Sequence, residues 1–236
     1  MESHFETQNQ SRLLIEADDA EKVVFYQKTY KHVALAVLGF IVLESVFLNT
    51  PPLVEFMLSL TQGYLWLLLL GAFWLASTYA DKLAHHPEQN KQYLGLGIYV
   101  VFEALIFVPI LFIAMYYADG GYELINQAAI ITLGLFTGLT AVVFMTKTDF
   151  SFLKTAITIG VFIAMGFIVA GIIFGFELGL WFSFAMVALA GGSILYQTHQ
   201  LKNEYNTDQY VGAALGLFAS LMLLFWYVLR IVMSRD

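Results

Sequence analysis

Seven long apolar runs alternate with short polar connectors along most of this chain. They fall near His32 to Leu48, Gln62 to Tyr79, Tyr93 to Tyr117, Leu124 to Met145, Phe152 to Phe174, Leu178 to Tyr196 and Tyr210 to Met233. About 20 consecutive apolar residues carry a helix across the hydrocarbon core of a bilayer, and none of these runs shows the alternation of a half-buried strand. The pattern therefore predicts an all-α integral membrane protein, a bundle of seven transmembrane helices over residues 28–236. Residues 1–27 form a polar tail before it. Pro51 and Pro52, Asp119-Gly120-Gly121 and the stretch from Asn203 to Asp208 mark turns where helices must stop. Connectors this short make consecutive helices antiparallel neighbours.

The tail is acidic, with Glu2, Glu6, Glu16, Asp18, Asp19 and Glu21, and no basic segment leads into an apolar core as a cleavable signal peptide requires. Leu13, Leu14, Ala17, Ala20 and Val24 recur at spacings of three or four, compatible with a short amphipathic helix against the membrane or a partner. The same residues are equally compatible with a solvated tail.

Composition strengthens the membrane assignment. Of 236 residues, 59% are hydrophobic and 12% charged, with a mean hydropathy of +0.73, too apolar for an ordinary soluble domain. The net charge of -7 argues against a nucleic-acid partner. Cysteine is absent, which excludes disulfides, thiolate nucleophiles and Cys-ligated zinc. Glycine pairs four apart (Gly134 and Gly138, Gly171 and Gly175, Gly212 and Gly216) would let helix backbones approach closely. Trp66, Trp74, Trp181 and Trp226 read as interface anchors and lipid-facing bulk.

Lysine and arginine set an expected orientation. Arg12, Lys22, Lys28 and Lys31 precede the first run, Lys82 and Lys91 lie between the second and third, Lys147 and Lys154 flank the fourth connector, and Lys202 sits in the sixth. The positive-inside rule then places the N-terminus in the cytoplasm and, after seven crossings, the C-terminus outside. Arg230 and Arg235 run against this, and Arg230 can snorkel to the interface from the end of the last span.

Ionisable residues inside spans are the first candidates for chemistry. Glu103 lies about 15 Å along its helix from Tyr93, near the midplane. Glu44 lies toward the outer end of the first span. A carboxylate at such depth is costly to leave charged without a cationic partner or water, so either residue is a candidate proton switch or cation ligand. The alternative is a protonated acid hydrogen-bonded between helices. Pro109 frees a backbone carbonyl near Glu103 and could kink that helix. His85 and His86 sit in a polar loop with no third ligand, so no metal site is expected there. His199 borders the sixth connector. No nucleophile-base motif, HExxH, P-loop or dinucleotide fingerprint is present, so a non-enzymatic protein without a cofactor is expected.

Two stretches carry a resemblance. Ile194-Leu195-Tyr196 ends a helix, Thr207-Asp208 opens the next, Ala214-Leu215 and Leu217-Phe218 lie within it, and Leu229-Arg230 closes it. Between the fourth and fifth spans stands Lys147-Thr148-Asp149-Phe150-Ser151-Phe152-Leu153, and Lys28-Thr29-Tyr30 precedes the first span. In these elements and their order the chain resembles the Bax inhibitor-1 family of transmembrane proteins over nearly its whole length. Family members described as pH-sensitive calcium leaks carry an aspartate pair whose positions align with Gln197 and Ser220. Two close carboxyls can share a proton; Gln and Ser cannot titrate in the physiological range.

Serine at the second position is similar to the bacterial YccA branch, which implies an inner-membrane protein modulating an FtsH-type protease. That branch has a short cytoplasmic tail implicated in engaging the protease. Two functions are thus expected as alternatives. One is an interaction protein of membrane quality control and stress response, acting as a poorly degraded competitor substrate; the other is a Ca2+ or H+ leak with Glu103 or Glu44 replacing the missing pair.

Overall fold

In a computed structural model, residues 13–118 and 120–234 are described. Arg12, Asp119, Arg235 and the acidic residues Glu2 and Glu6 lie outside them. The described residues form a single 3-10 turn, Leu14–Glu16, and eight α-helices: α1 (Asp19–Leu48), α2 (Pro51–Leu60), α3 (Leu65–Ala84), α4 (Gln89–Tyr116), α5 (Tyr122–Met145), α6 (Leu153–Phe174), α7 (Gly179–Asn203) and α8 (Tyr210–Met233). Six of the helices are long and apolar enough to cross a membrane, and α2 with α3 makes a seventh if that bent pair counts as one span. The protein is an all-α membrane protein.

Local chemistry explains where the helices depart from the apolar pattern. The first starts well before His32 because Asp18 and Glu21 close a capping box: the Glu21 N–H donates to Asp18 Oδ1 at 2.8 Å, and the Asp18 N–H donates to Glu21 Oε2 at 3.3 Å. Two orphan amides of the first turn are thereby satisfied, so α1 runs unbroken through the boundary expected at Gln27. Pro51 and Pro52 end α1 as expected but also open α2, an element the sequence pattern did not announce. Proline lacks an N–H that the first helical turn does not need. Gly63, at φ +54°, lets the chain turn sharply, and α2 and α3 meet at 105°.

The last helix is the axis. Of its most apolar stretch 61% is buried, against 11% for α6, so α8 is enclosed by neighbours while α6 lies at the rim. Helices α1, α3, α4, α5 and α7 all pack against α8. Close approach rests on missing side chains at several places, three of them around α3, α4 and α8. A Cβ on Gly95 would lie 2.5 Å from the Ala80 carbonyl oxygen, on Gly212 2.9 Å from that of Ala84, and on Gly216 2.5 Å from Gln197 Oε1. Gly212 therefore admits a neighbouring backbone as expected, whereas Gly216 admits the Gln197 side chain. Gly134 and Gly138 admit neither, since nothing lies within 4 Å of a Cβ at either.

The tryptophans divide as well. Trp74 and Trp181 are exposed on the outside of the bundle. Trp66 and Trp226 instead stack on one another at 6.3 Å, with Trp226 edge-on to Phe107 at 4.9 Å. These two fill space between helices rather than anchor an interface.

Candidate functional site

The seam between α7 and α8 holds the two positions that the resemblance singles out. Ser193 and Gln197 stand one turn apart on α7, and Gly216 and Ser220 one turn apart on α8, so the two rows face each other. Ser220 Oγ donates to the Gly216 carbonyl at 2.9 Å and lies 2.8 Å from Ser193 Oγ. A serine has one hydroxyl proton. With that of Ser220 committed to its own helix, Ser193 is the donor between the helices. Gln197 lies one turn away, its Oε1 filling the space a side chain at Gly216 would need. The partner of Ser220 is thus Ser193, a residue missed in the sequence although it precedes Gln197 by one helical turn.

The carboxylates expected to titrate sit elsewhere. Glu103 is 5% exposed on α4, and its Oε2 is buried with no hydrogen-bond partner. Tyr99 stands one turn earlier on the same helix, and its ring packs edge-on against Phe218 of α8 at 6.0 Å. Glu44 is 4% exposed on α1, with both oxygens buried and unpartnered. The two residues do not form a pair. Helices α1 and α4 run parallel, with His32 beside Tyr93 and Phe40 edge-on to Phe107 at 5.2 Å. No hydrogen bond joins them, since both Glu44 oxygens and Glu103 Oε2 lack partners. Among the described residues, no group of three or more His, Asp or Glu side chains could hold a metal ion.

At the tail end of the bundle the remaining motif residues hold loops to helices. Asp149 Oδ1 accepts the Ser151 N–H at 2.8 Å and lies 3.2 Å from His199 Nε2 of α7. The Ser151 hydrogen bonds, and secondarily the His199 charge, hold the Asp149 carboxyl below its ordinary range. Lys202 Nζ donates to the Val143 carbonyl at 2.8 Å, satisfying one of the orphan acceptors at the end of α5. The loop between α5 and α6 is therefore fixed to the last turns of α7.

Thr207 and Asp208 line a cleft of about 630 Å³ with Asp18, Lys28, Gln92 and Tyr210. Tyr196 is buried near the end of α7, and Arg230 stands partly exposed in the last turn of α8, close to the Tyr227 phenol. The connector between α7 and α8 turns on Tyr205, another residue without a signal in the sequence. Its ring stacks on His85 at 5.9 Å and meets Phe25 at 6.5 Å, and burial pushes its phenol up.

A helix-wrapped α8, a neutral hydroxyl seam beside it and isolated buried carboxylates define a multi-pass membrane protein with no assembled catalytic constellation among the described residues. Its relatives narrow the class. The family described as "Inhibitor of apoptosis-promoting Bax1" matches residues 22–236, so the chain belongs to the Bax inhibitor-1 family. It is 26% identical over 213 residues to protein lifeguard 4 of Mus musculus, covering 89% of this chain and 84% of that one. With protein LIFEGUARD 4 of Arabidopsis thaliana it shares 27% over 220 residues, 90% and 85% of the two chains. An uncharacterized protein of Neisseria meningitidis serogroup A is 27% identical over 190 residues, 76% of this chain and 82% of that one.

Proposed function

We propose that the protein is a non-enzymatic member of its family that resides in the bacterial inner membrane and modulates membrane-protein quality control by contact with an FtsH-type protease. In this reading the N-terminus is cytoplasmic, the C-terminus periplasmic, and the N-terminal segment is the handle for the partner. The observation that carries it is the Ser193–Ser220 hydroxyl pair with Gln197 beside it. Where the resemblance calls for two carboxyls sharing a proton, this seam has only groups that keep their protonation across the physiological range. A seam of that kind holds helices together and responds little to pH.

Deleting residues 2 to 20 tests the contact. Co-purification with an FtsH-type protease should fall sharply while the helical content of the bundle is kept; undiminished co-purification removes the tail as the handle.

A second reading, a pH-sensitive Ca2+ or H+ leak, draws on a specific observation: Glu103 and Glu44 are buried with unpartnered carboxyl oxygens. Carboxyls so placed are expensive in a bilayer and retained where they serve a path. Glu103 is the titrating group in that reading.

A further inference from the structure

The first described residues are pinned to the bundle before α1 begins. Leu13 faces Asn206 in an isolated antiparallel bridge, and the Leu14 N–H donates to the Tyr205 carbonyl at 2.8 Å. The Leu14 side chain is fully buried and Ala17 nearly so, in the same core as Phe25, Leu201 and Tyr205, while Ile15 and Glu16 point outward. Residues 13–17 therefore form a strap that ties the start of α1 to the α7–α8 connector. Tyr205, the post it is tied to, is clamped by Phe25 and His85.

The strap is the weakest link at this end. It is one 3-10 turn, too short to be stable alone, and it adds to the bundle one backbone hydrogen bond to Tyr205 and the burial of Leu14 and Ala17. Behind it, the capping box starts a helix of 30 residues. Segments with few buried contacts open locally without unfolding the rest. An ATP-driven protease that grips the tail and pulls would load Leu14 and Tyr205 first, and α1 only after they let go.

We propose that this strap is a latch on the protease contact: closed, it stops the reach of the protease at Leu13; open, it hands over the chain as far as Asp18 and converts a bound partner into a substrate. The inference rests on the protease reading. It names what regulates that contact, the seating of Leu14 beside Tyr205.

The full-length protein in lipid nanodiscs provides the test. Because the chain has no cysteine, a Leu13→Cys, Asn206→Cys pair gives a single reversible crosslink that locks the strap. Leu14→Asp opens it, and Leu14→Met, which keeps the apolar volume, controls for folding. With proteinase K alone, cleavage within residues 13–17 tracks the open population and should be roughly tenfold or more faster in Leu14→Asp than in the wild type. It should be suppressed in the crosslinked form and unchanged in Leu14→Met.

With a purified FtsH-type protease and ATP, degradation should follow the same order, and reductant should restore it to the crosslinked form. Equal cleavage of all forms by proteinase K overturns the latch, as does equal degradation of forms that all co-purify with the protease. If no form co-purifies, wild type included, the protease reading falls and takes the role of the latch with it; the proteinase K comparison shows which of the two ideas failed.

Discussion

Ser193 and Ser220 meet at 2.8 Å across the α7–α8 seam, and the proton between them belongs to Ser193 because that of Ser220 goes to the Gly216 carbonyl. Such a pair is structural. Ser193→Ala should cost about 1 kcal/mol, the net worth of a neutral hydrogen bond, in a reversible unfolding measurement. It should leave any pH dependence of the protein unaltered.

The converse change introduces a switch. Gln197→Asp with Ser220→Asp puts two carboxyls on facing rows of the seam, where both cannot ionise cheaply. The double variant should gain a transition near neutral pH, read by intrinsic tryptophan fluorescence, that the wild type lacks. A wild type with the same transition would show that the seam is not what governs pH response.

Gly95 is the tightest point of the α3–α4 crossing. Gly95→Leu should lower stability by about 2 kcal/mol or more, since the Ala80 and Ala84 backbones cannot move aside as a side chain would. Gly134→Leu, facing open space, should leave the melting temperature nearly unchanged.

These two glycines also show how far the sequence could be read. Hydropathy located the spans because each must be continuous to cross a bilayer, and the Asp149 and Thr207 elements located the family. It did not distinguish Gly95 from Gly134, because close approach depends on which face of a helix meets a neighbour, and six or seven nearly all-apolar helices carry little facial pattern. Likewise α2 was hidden inside what reads as a turn, since Pro-Pro stops one helix and starts the next with the same residues. Glu103 and Glu44 were legible as buried. That Glu103 Oε2 and both Glu44 oxygens meet no hydrogen-bond partner was not, because it needs the packing of α1 and α4 against their neighbours.

Asp149 carries a pH signature. Its folded value lies below the ordinary 3.8, so its contribution to stability is present above that value and is lost as pH falls through the folded one. The group is solvent-exposed, and the effect should be small. The melting-temperature difference between wild type and Asp149→Asn should be positive at pH well above the ordinary aspartate range and shrink toward zero in strong acid.

The neutrality of the seam and the isolation of Glu103 meet in one assay: calcium flux through the purified protein in liposomes, at mildly acidic and at neutral pH. The proposed function requires that the wild type conduct no more than empty liposomes at either pH. A flux that changes with pH and disappears in Glu103→Gln would contradict it and establish the leak instead.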